Sequence, residues 1–386
     1  MVDLEYKQNT NVDKQKFINE FERGEKVTER ESQIYQWIKE NPMISQEELA
    51  RKANIKRSSV AVHISNLMKK GYIQGKGYIT NPTSYCMVIG GVNIDIGGRP
   101  DQTLIPKDSN PGHISMSLGG VGRNIAHNMS LLGLHVKMIT ALGDDANAHR
   151  IMENCKELGI DISHSCHSTE DATSTYLFIA EADGDMSVAI SDMSIYRHMT
   201  PEFMESKMDI INRAGMVVID TNIPEETISY LASNCKVPIY ADPVSCTKAK
   251  KLVPVLGRIH TITPNLLEAQ ILTGMKIDSG EALKKASDVL LEMGIKQVFI
   301  TLGADGIFAA NKEEAYHFPN LSCKLVNATG AGDAMMAGFA YAQTEGYSLK
   351  QTAMTGLGAA SIAVEGAATI NEELCVEEVK RRAGLV

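Results

Sequence analysis

Apolar positions along this chain follow two different rhythms. Between Glu29 and Gly71 they recur at helical spacing: Ile34, Tyr35, Trp37 and Ile38, then Val60, Val62, Ile64 and Leu67. The first helix predicted there stops near Asn41-Pro42, because the residue before a proline is driven out of the α region. Ser45-Gln-Glu-Glu48 reads as a capping box that opens a short second helix ending near Asn54. Lys56-Arg57-Ser58-Ser59 opens a third, and Gly71 marks its end. Tyr72-Ile73 and Tyr78-Ile79 flank Gln74-Gly75-Lys76-Gly77, which predicts a small hairpin or wing. The polar residues 1–28 form an extension, with a helix expected near Asp13–Phe21.

After Asn81-Pro82-Thr83 the rhythm changes. Cys86–Gly91, Val136–Ala141, Met216–Asp220, Pro238–Asp242, Thr261–Thr263 and Val298–Leu302 are short, nearly continuous apolar runs of the kind buried parallel strands show. Between them lie helical stretches such as Asn124–Leu132, Ala146–Leu158 and Gly280–Met293. This alternation predicts an α/β domain over 84–386, with a doubly wound, mostly parallel sheet. Ligands of such sheets bind beyond the carboxyl ends of the strands. Pro111–Leu118 and Ser174–Glu181, the latter before Asp183-Gly184-Asp185, break the alternation. They read either as a small β lid, with segments near 98–118 and 170–190, or as an ordinary surface hairpin.

Charge separates the two regions. Residues 29–80 hold nine basic and five acidic side chains, net +4, so the rest carries −13 of the −9 total. A basic helical segment on an acidic body suggests one module for a polyanion and one for another task. The segment resembles a winged helix-turn-helix, whose third helix enters the DNA major groove. Lys56, Arg57, Ser58, Ser59 and His63 are its candidate contacts, with Lys76 of the wing reaching phosphate. The other reading is a three-helix interaction or dimerisation module whose charges are simply solvated. No apolar run is long enough to span a membrane and the N-terminus carries no signal-peptide core, so a cytoplasmic location is expected. Seven scattered cysteines without a CxxC pair read as free thiols. His164, Cys166 and His167 match no zinc spacing and read as a polar loop.

The chemistry concentrates in Asn327-Ala-Thr-Gly-Ala-Gly-Asp-Ala-Met-Met-Ala-Gly-Phe339. Gly330, Ala331 and Gly332 precede a helix, so their N–H groups and the helix N-terminus can face one point and hold negative charge. Asp333 is placed either to take a proton from an attacking hydroxyl or simply to cap the helix. No GK[ST] follows, so this is not a Walker A loop.

TGAGDAMMAGF resembles the C-terminal signature of the PfkB carbohydrate kinases, and four further motifs occur in that family's order over roughly 85–380. These are Gly90–Asp95, Gly119–Asn124, Pro264-Asn265-Leu-Leu-Glu268 and Thr301–Gly306, the last of which resembles the nucleotide-phosphate loop. The resemblance implies a ribokinase-like fold, ATP and Mg²⁺. It implies that Asp333 is the base and that Gly330, Ala331 and Gly332 form the anion hole. Asn265 and Glu268 would organise Mg²⁺ through water, although a helix-capping pair is the other reading. Thr301, Gly303 and Gly306 would lie against the ATP phosphates. Asn93, Asp95, Gly120, Arg123 and Asn124 would surround the substrate.

Within the family, Asp108–Gly112, Gly119–Ala126, Thr173–Tyr176, Ala241–Ser245 and Asn327–Asp333 are similar to the pseudouridine kinases, a subgroup of which carries a fused helix-turn-helix. A lysine of ribokinase is Val121 here. An acid near the monovalent-cation site of ribokinase-type enzymes is Asn327, which speaks against K⁺ activation. A substrate-contacting glutamate corresponds to Asn222, and a neutral amide suits a nucleobase. Pseudouridine is therefore the expected substrate; inosine and ribose remain alternatives, as does a regulator that uses the fold as a ligand sensor. A homodimer is expected, with no interface visible in the sequence.

Overall fold

The computed structural model describes residues 27–73, 84–181 and 186–385. The helix expected near Asp13–Phe21, the hairpin loop with Lys76, and Asp183-Gly184-Asp185 lie outside the described residues. The chain divides into two units, Met1–Thr83 and Ser84–Val386.

In the first unit, helices span Glu29–Glu40, Gln46–Ala53 and Arg57–Lys69. Thr28 and Glu31 form a reciprocal capping box at the start of the first. Glu31 is buried and pairs with Lys70 Nζ at 3.0 Å. Burial pushes its carboxyl up, but the Thr28 N–H, Lys70 and Asn66 outweigh that and bring the pKa to about 2. This pair ties the start of the first helix to the end of the third. Val60, Ile64 and Leu67 join Ile34, Ile38, Leu49 and Ile73 in one core. Val62, expected among them, is 58% exposed. Positions 60 and 62 lie about 200° apart around a helix, so they cannot share an inward face.

In the second unit, the strands are β1 (Cys86–Ile89), β2 (Asn93–Pro100), β3 (Gly112–Gly119), β4 (Val136–Ile139), β5 (Ala141–Leu142), β6 (Cys166–His167) and β7 (Thr175–Ala180). They continue with β8 (Met186–Asp192), β9 (Met216–Asp220), β10 (Ile239–Asp242), β11 (Thr261–Ile262), β12 (Gln297–Thr301), β13 (Ile307–Ala310) and β14 (Ala315–Phe318). The main sheet runs β14-β13-β12-β11-β10-β9-β1-β4. Neighbours from β4 to β12 are parallel, and β13 and β14 are antiparallel.

Every residue of β1 is buried because both sheet faces are covered. Cys86 and Val88 enter one core with helices Val121–Leu131, Ala331–Glu345 and Leu349–Ala363. Met87 and Ile89 enter the other with helices Glu225–Asn234 and Gly280–Glu292. The single strand expected at Val136–Ala141 is instead two: β4 ends at Ile139, and β5 leaves to pair with β6.

A second sheet, β3-β2-β7-β8, corresponds to the expected lid. It also takes Asn93 and Asp95 into β2, away from the main-sheet strand β1. Side chains alternate across it. Asp95 and Tyr176 are register partners on one face. On the other, Ile96 is flanked by Met116 and Leu177, and Leu177 by Ile190; Gly98 is flanked by Ile114 and Ile179, and Ile179 by Val188. That second face is apolar yet open: Ile114 is 78% and Ile190 64% exposed. Among the described residues no helix is long and apolar enough to cross a membrane.

Candidate active site

The helix Ala331–Glu345 starts from Gly330 in the left-handed conformation, φ 84°. A Cβ there would lie 2.3 Å from the Thr369 carbonyl oxygen, so only glycine fits. Space is open around the place a Gly332 Cβ would take. Asp333 is not the cap. It sits in the first helical turn, buried, and its Oδ2 accepts from Asn124 Nδ2 at 2.9 Å. Burial raises its pKa well above the ordinary carboxylate value, and the charges of Asp242 and Asp220 add to that; the Asn124 N–H opposes them. Phe339 stacks on Phe299 of β12 at 4.1 Å between ring centres, which fixes this helix on the sheet.

A second carboxylate faces the lid corner. Asn93 Nδ2 donates to Asp95 Oδ1 at 2.5 Å, and a Cβ on Gly119 would lie 2.2 Å from Asp95 Oδ2. Burial raises the Asp95 pKa, while Asn93 and Arg123 oppose it. Gly120 has φ 98°, and a Cβ there would meet the Gly91 carbonyl oxygen at 2.5 Å. The buried Arg123 guanidinium donates to Asn154 Oδ1 at 2.8 Å and to Asn124 Oδ1 at 3.4 Å. It therefore turns the amide of Asn124 so that the N–H faces Asp333.

Sequence reasoning passed over three residues here. Asp220 ends β9; its Oδ2 accepts from the Gly91 and Gly122 N–H groups, both at 2.7 Å, and its Oδ1 from Asn222 N–H at 2.8 Å. One buried carboxylate thus joins both glycine loops. Asp242 ends β10, and its Oδ1 accepts from Val244 N–H at 2.8 Å. Burial pushes its pKa up to about 7; the Val244 N–H opposes this, and the Glu268 and Asp220 charges add to it. Lys248 Nζ donates to Asn222 Oδ1 at 2.5 Å. The available signal was an aspartate closing each of two apolar strands, MVVID and IYAD.

Asn265 and Glu268 form the reciprocal capping box of helix Leu266–Thr273. Asn265 Oδ1 accepts from Glu268 N–H at 2.9 Å and Glu268 Oε2 from Asn265 N–H at 2.8 Å. Burial raises the Glu268 pKa, and the Asn265 N–H opposes that. Asn265, Thr301 and Gly303 line a depression of about 520 Å³. Gly306 closes the turn beside it, its carbonyl accepting from Leu302 N–H at 2.9 Å. Asp242 connects the two halves, since the Glu268 charge acts on it and its own charge acts on Asp333. Among the described residues, no three His, Cys, Asp or Glu side chains cluster as a metal centre.

In the first unit, Lys56, Arg57, Ser58 and Ser59 are exposed at the start of Arg57–Lys69. His63 is half-buried, with Nδ1 enclosed and unpartnered.

The family model described as "pfkB family carbohydrate kinase" matches residues 83–374, and that of a winged helix-turn-helix DNA-binding domain matches 28–74. An uncharacterised sugar kinase of Escherichia coli, YeiI, is 36% identical over 87% of this chain and 93% of its own length. The pseudouridine kinase of Escherichia coli is 34% identical over 76% of this chain and 95% of its own. A carbohydrate kinase structure from Agrobacterium tumefaciens superposes with a TM-score of 0.70 at 30% identity, covering 78% of this chain and 98% of that one.

Proposed function

The chain belongs to the pfkB family of carbohydrate kinases, and from that premise we propose that it phosphorylates the 5′-hydroxyl of pseudouridine with ATP. The Asn124–Asp333 contact at the mouth of a glycine-led helix carries this reading. Asp333 is the only acidic group in that helix's first turn. Its raised pKa brings a carboxylate closer to the operating range of a general base. It takes the proton of the attacking hydroxyl, while the N–H groups at Gly330 to Gly332 hold the charge that develops on the phosphoryl oxygens. Asp95, aligned by Asn93, accepts from ribose hydroxyls. Arg123 supports Asn124 from behind.

For the base, the Asn222 carbonyl is taken by Lys248, so the amide presents N–H donors suited to pyrimidine carbonyl oxygens. The identity with a pseudouridine kinase favours the same choice. Thr301, Gly303 and Gly306 suit the phosphates of ATP. Glu268 and Asp242 are buried acids whose charges oppose each other, an oxygen set that fits Mg²⁺. The ion, when bound, offsets the negative charge of the phosphates. The first unit binds DNA through Arg57–Lys69, and a second copy of the chain covers the apolar face of the small sheet.

ADP release measured across nucleosides and sugars tests the substrate. Pseudouridine is expected to give the highest kcat/KM, and ribose or inosine exceeding it would overturn the choice.

A further inference from the structure

The third helix of the first unit carries an unused chemical pattern on its outer surface. Val60, Ile64 and Leu67 fix its inward side. The opposite line is Ser58, Val62, Ser65 and Lys69, spaced i, i+4, i+7 and i+11. All four are exposed, and Val62 lies between the two serines along the line. His63, the expected reader, is turned to the flank with Nδ1 buried.

Cations surround this line. Lys56 and Arg57 stand exposed at its start, Lys69 at its end, and Arg51 and Lys52 on the preceding helix. Arg57 is aligned by Glu47, Nη1 to Oε1 at 3.2 Å. The cationic rim favours a polyanion over an apolar protein partner. In the major groove, guanine is read by bidentate Arg or Lys and adenine by Asn or Gln. The centre of this line offers neither. The one base-edge group that suits an aliphatic side chain is the thymine C5-methyl.

We propose that Val62 seats a thymine methyl in the major groove, with Ser58 and Ser65 beside it and the surrounding cations on phosphate. This rests on the DNA-binding reading of the first unit and assigns it a base.

The test uses the full chain. Duplexes are selected from a random library at low salt, and each recurring thymine is then replaced by uracil, which lacks only the methyl. One replacement is expected to weaken binding about fourfold, the transfer value of a methyl-sized group. Val62→Ala, at an exposed position, is expected to weaken thymine DNA similarly and to add nothing on the uracil duplex. Losses that multiply, uracil tolerated at every position, or a motif without a recurring thymine would each overturn the inference while leaving DNA binding in place. Absence of DNA retention at low salt would overturn the DNA reading, and the base assignment with it.

Discussion

Replacing Asp333 by asparagine separates chemistry from positioning. The amide has the same shape and its oxygen can still accept the Asn124 N–H, now at 2.9 Å from the carboxylate. Proton acceptance and the negative charge are lost. General-base catalysis contributes roughly 10²–10⁴-fold, so kcat is expected to fall by that factor, about 3–5 kcal/mol of barrier. Coupled ADP release at saturating substrates measures it, and calorimetry should show ATP binding retained. Stability moves the opposite way. Asp333 has a raised pKa in the folded chain, so its stabilising contribution is complete below the unfolded carboxylate pKa and is lost as pH rises through the folded value. The Asp333→Asn variant escapes that loss. Its melting temperature should exceed that of the parent at neutral pH, with the gap narrowing as the medium is acidified. Turnover within tenfold of the parent, or a gap that widens toward acid, would refute the assignment.

Asn124→Ala removes the donor that opposes the upward shift of Asp333, so the acid limb of the kcat–pH profile should move to higher pH; a move to lower pH contradicts the contact. Gly119→Ala places a Cβ 2.2 Å from Asp95 Oδ2 and should raise KM for the nucleoside at least about tenfold, the value of a charged hydrogen bond, with KM for ATP unchanged. Asn327 Nδ2 donates to the Ala367 carbonyl at 3.1 Å, a neutral link, so initial rates should match in K⁺ and Na⁺ salts; activation specific to K⁺ would contradict it.

The main sheet was legible because strands covered on both faces must be apolar throughout. Met216–Asp220 emerges with the boundaries expected, and Pro238–Asp242 starts one residue later. The terminal aspartates of those strands were not legible as site residues, because a carboxylate at a strand end looks like any turn residue. Only the fold brings Asp220 onto two glycine loops 98 and 129 residues away. Asp95 was found through its motif, but its place in the small sheet was not, since three intervening residues separate β1 from β2. Val62 is apolar yet points outward, because its side of the helix is set by its angle to Val60 and Ile64 and not by its hydrophobicity. Asn265 and Glu268 satisfy the capping role that the sequence offered as their other reading.

The proposed pairing of two copies over the small sheet would make folding a collective property of the solution. Ile114 and Ile190 are exposed in the single chain, the proposed second copy would shelter them, and a species that binds the native form alone lifts its melting point by mass action. A diluted sample should therefore melt at a lower temperature than a concentrated one, so that the stability of this chain is a curve against concentration.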